Sequence, residues 1–70
     1  MRQSEIWEVL QVHLGTEWRH LSEVYEMVGK EVAGEDAMKW KRNVRNVLQR
    51  RRASGEVEWD GKGRYRLALG

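Results

Sequence analysis

Apolar and polar positions along the chain change period from segment to segment. In "SEIWEVLQVHL", residues 4–14, the positions Ile6, Val9, Leu10, His13 and Leu14 recur at the spacing of one helical face. Ser4 is the expected N-cap, Glu5 and Glu8 suit the positive end of the helix dipole, and Gly15 is the expected stop. "TEWRH" then reads as one short strand. A second helix is expected over residues 21–30, "LSEVYEMVGK", with Leu21, Val24, Tyr25 and Val28 inward and His20 as a candidate cap or phosphate contact. Residues 31–37, "EVAGEDA", carry Gly34 and read as a connection. A third helix over residues 37–53 places Trp40, Val44, Val47, Leu48 and the stem of Arg51 on one stripe. Lys39, Arg42, Asn46, Gln49 and Arg50 lie opposite, with Asn43 and Arg45 on the flanks, and Ser54-Gly55 ends the helix. The tail "EVEWDGKGRYRLAL" alternates, with Val57 and Trp59 on one face and Tyr65 and Leu67 following a turn in which Gly61 and Gly63 supply positive φ.

Helix, short strand, helix, helix and hairpin is the order of a winged helix-turn-helix. The expected class is α+β, mostly α: three helices, a short strand and a C-terminal two-stranded wing, in a single domain over residues 1–70. No internal repeat or linker interrupts it. Seventy residues stand near the lower limit for independent folding, and without cysteine no disulfide can staple them. The core must therefore come from tight apolar packing, for which four tryptophans are well suited. The chain has no long apolar run and no signal-like start, so the expectation is a soluble cytoplasmic protein with no membrane partner.

The formal net charge is only +2, but it is unevenly placed. Residues 1–36 hold three basic and eight acidic side chains, a net −5; residues 37–70 hold ten basic and three acidic, a net +7. The stretch "KWKRNVRNVLQRRR", residues 39–52, has seven basic residues and no acidic one. Solvated helix faces usually mix both signs, so a one-signed helix points to a polyanion. In the winged-helix order the third helix enters the major groove of DNA. Lys39, Lys41, Arg42 and Arg45 would supply charge to phosphates or guanine, with Arg50 beside them. Asn43, Asn46 and Gln49 can pair with the N6 and N7 edge of adenine, while Lys62, Arg64 and Arg66 on the wing would follow phosphates.

The segment "VRNVLQRRRASGEVEWDGKGRYR" resembles the winged-helix domain at the C-terminus of the methyl-directed restriction endonucleases that cut fully adenine-methylated GATC. The shared features are Arg45, Leu48 and Gln49 in the third helix, Gly55 at its end, the strand Val57-Glu58-Trp59, and a G-x-G-x-Y-R wing carried by Gly61, Gly63, Tyr65 and Arg66. "LSEVY" at residues 21–25 resembles the start of that family's second helix, so the likeness runs over about residues 6–67. It implies a reader of N6-methyladenine in duplex DNA that works with a fused or partner nuclease domain, the present chain being an isolated reader or a fragment. An adenine methyl is an apolar knob in the major groove and needs an apolar surface to meet it. Trp40 is the candidate for that surface, and core packing on the stripe of Val44 and Leu48 is its competing role.

Other signals are weaker. Asp60-Gly61-Lys62, with Glu58 nearby, matches the end of many nuclease metal sites, but a turn accounts for Asp-Gly. The expectation is therefore a binding module and not an enzyme, with no cofactor. His13 is expected to be packed and hydrogen-bonded on the apolar face, and two histidines without cysteine make no zinc site. Trp18 and Trp59 are expected in the core or half-buried. Two further readings share this fold: a dimeric transcription regulator on unmodified operator DNA, and a protein-interaction module that binds DNA weakly.

Overall fold

α1 (Gln3–His13) starts one residue before the expected cap, with Arg2 at the N-cap and Ser4 inside the first turn. The Arg2 amide donates to Glu5 Oε1 at 3.3 Å, so the acidic side chain of the first turn holds the entering backbone. A computed structural model describes residues 2–32 and 34–68. Ala33 in the expected connection and Leu69 at the end of the tail lie outside the described residues. Ile6, Leu10 and Leu14 of the α1 stripe are fully buried. His13 is not: it is exposed, beside a shallow cleft also lined by Met27, Lys30 and Glu31. Leu14 takes the last core position at this end, which leaves the imidazole outside.

Gly15, at φ +72°, reverses the chain into β1 (Arg19–His20). α2 (Leu21–Gly29) follows at once, and His20 caps it: Ser22 N donates to His20 Nδ1 at 3.2 Å. α2 buries Val24 and Val28, with Leu21 and Tyr25 packed at the edge of the core. α3 (Ala37–Ala53) is capped by Asp36, whose Oδ1 accepts from Met38 N at 2.9 Å. Its buried stripe is Trp40, Val44, Val47 and Leu48. The helix ends in a left-handed glycine cap, with Gly55 at φ +83° and Glu56 N donating to Arg51 O at 2.8 Å.

β2 (Val57–Trp59) and β3 (Arg64–Leu67) form the hairpin, and β1 pairs with the far edge of β3. The sheet is three-stranded and antiparallel in the order β1-β3-β2. In its register Val57 faces Leu67, Glu58 faces Arg66, and Tyr65 stands between Trp59 and Arg19. Val57 joins the core formed by the three helices. Two backbone bonds tie the sheet to the helical layer, Leu21 N donating to Gly63 O at 3.0 Å and Leu67 N to Gly15 O at 2.8 Å, and Arg19 Nε of β1 donates to Leu14 O at 2.8 Å. The protein is thus a small, mostly helical α+β fold. No helix among the described residues is long and apolar enough to cross a membrane.

Candidate nucleic-acid interface

A long helix with one buried stripe must present the rest of its circumference to solvent. Burying Trp40, Val44, Val47 and Leu48 sends Lys39, Arg42, Arg45, Gln49 and Arg50 outward, all exposed. Asn43 and Asn46 are half-buried. Met38, which sequence reasoning passed over, is 74% exposed on it. Its position was visible in the sequence, since Met38, Arg42, Arg45 and Gln49 follow one another at i, i+4, i+7 and i+11.

The basic residues divide into two groups that composition does not separate. The first is engaged within the fold. Arg51 lies over the Trp7 ring at 4.6 Å and donates to both oxygens of Glu56, at 3.0 and 3.2 Å. Arg52 covers the Trp59 ring at 4.3 Å. Arg66 covers the Trp18 ring at 4.2 Å and donates to Glu58 Oε1 at 2.9 Å. Arg66 is therefore engaged within the fold, in contrast to the cations on the outward side of α3. Lys41 Nζ stands 5.4 Å from the Tyr25 ring centroid and 5.7 Å from that of Trp40. Arg64, at 4.0 Å from Asp60, is paired only loosely.

The second group is Lys39, Arg42, Arg45, Arg50 and Lys62. Among the described residues none of these five has an ion pair, a side-chain hydrogen bond or a ring contact. Four of them lie on α3, and the fifth is at the hairpin tip. The four on α3 share its outward side, and none of the five has an internal counter-charge among the described residues.

Trp40 does not belong to that face. It is 8% exposed, meets Tyr25 edge-on at 6.1 Å between centroids and 82° between planes, and lies against Gly29. Only an edge of the residue reaches the open groove it lines with Ser22, Tyr25, Glu26, Gly29 and Lys41, so most of the ring serves the core. Trp18 and Trp59 take the half-buried alternative and not the core one. They are 40% and 39% exposed, and each is covered by an arginine in place of apolar core.

The hairpin turn is held by Asp60. Its Oδ1 accepts from Lys62 N at 2.7 Å and from Arg64 N at 3.0 Å, which fixes Lys62 at the tip. These bonds account for the Asp60-Gly61-Lys62 sequence as a turn. No group of three or more His, Cys, Asp or Glu among the described residues could hold a metal. Desolvation pushes the Asp60 carboxyl up, but the Lys62 and Arg64 amides and the Arg64 guanidinium outweigh it, so its pKa falls below the ordinary 3.8. The Ser54 hydroxyl, followed by Arg51, likewise lowers Glu56. Burial pushes the Tyr65 phenol above 10.0. A carboxylate with a lowered folded pKa contributes stability that is present above its unfolded pKa and is lost as pH falls through the folded one. The Lys62 and Arg64 amide resonances should therefore shift together as the carboxyl titrates, with a midpoint below pH 3.8. Movement centred at or above that value would show that the two amides do not hold the carboxylate.

Compared with known proteins, the chain finds no match: no family model, no curated protein and no solved structure corresponds to it.

Proposed function

We propose that this protein is a winged-helix module that binds duplex DNA, with α3 in the major groove and the β2–β3 hairpin as the wing. The observation that carries the reading is the outward face of α3, where Lys39, Arg42, Arg45 and Arg50 stand exposed with no internal partner. Four unpaired cations along one helix repel each other, and a row of phosphates removes that repulsion. Lys39, Arg42, Arg45 and Arg50 supply the charge; Lys41, which the sequence also suggests, is held over the Tyr25 and Trp40 rings. Asn43, Asn46 and Gln49 read base edges, and Lys62 and Arg64 hold the backbone beside the wing.

The preferred target in this reading is adenine-methylated DNA of the GATC type, following the resemblance of the third helix and wing to the methyl-directed endonucleases. The module reads, and a fused or partner nuclease domain cuts; the chain itself is not the catalyst. The test is a titration at near-physiological salt into three GATC duplexes: unmethylated, hemimethylated and fully N6-methylated. A preference of tenfold or more for methylated DNA, about 1.4 kcal/mol, is the expected result. Equal, salt-sensitive binding to all three removes the methyl reading and leaves a regulator of another target. Absence of binding at moderate salt leaves the protein-interaction reading.

A further inference from the structure

Four large hydrophobic side chains are exposed among the described residues: Val12, Trp18, Met38 and Trp59. Arginines cover the two tryptophans. Val12 lies on α1, outside the basic face. Met38 alone stands bare within the basic face, 74% exposed, between free cations. A single exposed methionine is ordinary on a protein surface. What distinguishes this one is its place.

Met38 is the second residue of α3, and its amide is held by the Asp36 cap at 2.9 Å. The backbone from which its side chain projects is thus fixed. At 100° per residue, Met38, Arg42, Arg45 and Gln49 lie within a sector of about 60° on the side away from the core stripe. In helices that enter the major groove, N-terminal residues reach the base edges. Met38 occupies that end of the column, one turn before Arg42.

The edges presented there carry donors, acceptors and methyl groups. A thioether side chain has no donor and only a weak acceptor, so it gains nothing from a hydrogen-bonding edge. It is flexible and polarisable, and gains by covering an apolar group. We propose that Met38 is a specificity-determining contact that packs on a methyl group on the major-groove edge of an A·T pair. That methyl is either the C5 methyl of thymine or a methyl on adenine N6. The proposal rests on the DNA-binding reading and assigns its apolar contact to Met38, in the place of the buried Trp40.

The experiment begins with selection of bound duplexes from two random libraries, one built with adenine and one with N6-methyladenine. In the best duplex, each thymine is then replaced by deoxyuridine, and each adenine is exchanged between its methylated and unmethylated forms, one position at a time. Wild type, Met38→Ala and Met38→Gln are titrated against this set, with helix content checked by circular dichroism. Loss of one covered methyl should weaken wild-type binding about fourfold. Deoxyuridine sensitivity identifies thymine as the source, and adenine-exchange sensitivity identifies the N6 methyl. Both variants should bind methylated and demethylated versions of that position equally while retaining the salt dependence of wild type.

Sensitivity that persists in Met38→Ala overturns the assignment. So does a wild type that is indifferent to every exchange yet still binds in a salt-sensitive manner; the DNA-binding reading then stands without Met38. Failure of both libraries to enrich removes both readings.

Discussion

Trp40→Ala should abolish most of the cooperative fold. The ring is 8% exposed and packed between Tyr25 and Gly29, and truncating a buried aromatic costs about 3–5 kcal/mol. At about 0.05–0.15 kcal/mol per residue, a chain of this length has a total stability of only about 3–10 kcal/mol. The loss is therefore comparable with the whole. Urea unfolding followed by circular dichroism measures it. Trp40→Phe keeps a ring against Tyr25 and should lose markedly less. The alternative role has an opposite signature: a Trp40→Ala protein that unfolds like wild type but no longer binds DNA would place the indole in the interface.

Arg42→Ala should act in the reverse way, leaving stability within about 0.5 kcal/mol of wild type, as exposed sites usually do. Binding to the preferred duplex should weaken by about 1–3 kcal/mol, the scale of one good contact to a base edge. Asn46→Ala should have a similar effect on binding and should also relax discrimination at one base position. Asn46 is half-buried, so its unfolding curve is the necessary control. A folded Asn46→Ala variant with unchanged discrimination removes its assigned role.

These two variants mark the boundary between what local sequence encodes and what assembly adds. α2, α3 and the hairpin are legible because their end signals are local: His20 as a cap, Gly55 as the stop, and Gly61 and Gly63 in the turn; Asp36, the cap of α3, carries the same kind of signal and was passed over as part of the connection. The α3 core stripe is legible because its period is strict. His13 has the right spacing for the core and lies outside it, since spacing along α1 does not reveal where the neighbouring elements cease to cover it. The division of the arginines is legible only in part. Arg66 facing Glu58 follows from a hairpin register that a turn of known length would fix. The stacking of Arg51 on Trp7 and of Arg52 on Trp59 joins elements whose contact no local pattern specifies. A count of positive charge therefore overstates the cations available to a polyanion, and five of the ten in residues 37–70 are without an internal partner.

That division makes the salt dependence of binding the most direct measurement. Each phosphate contact releases counterion, and the slope of log K against log salt is about −0.9 per contact on duplex DNA. Five free cations on the α3 face and hairpin tip give an expected wild-type slope of about −4 to −5. Lys39→Ala with Arg45→Ala should reduce its magnitude by about 2. Arg66→Ala should leave it nearly unchanged once folding is confirmed, because that guanidinium is already held by Glu58 and Trp18. A double variant with the wild-type slope, or a wild type that does not bind duplex DNA at moderate salt, would contradict DNA binding through this face of α3.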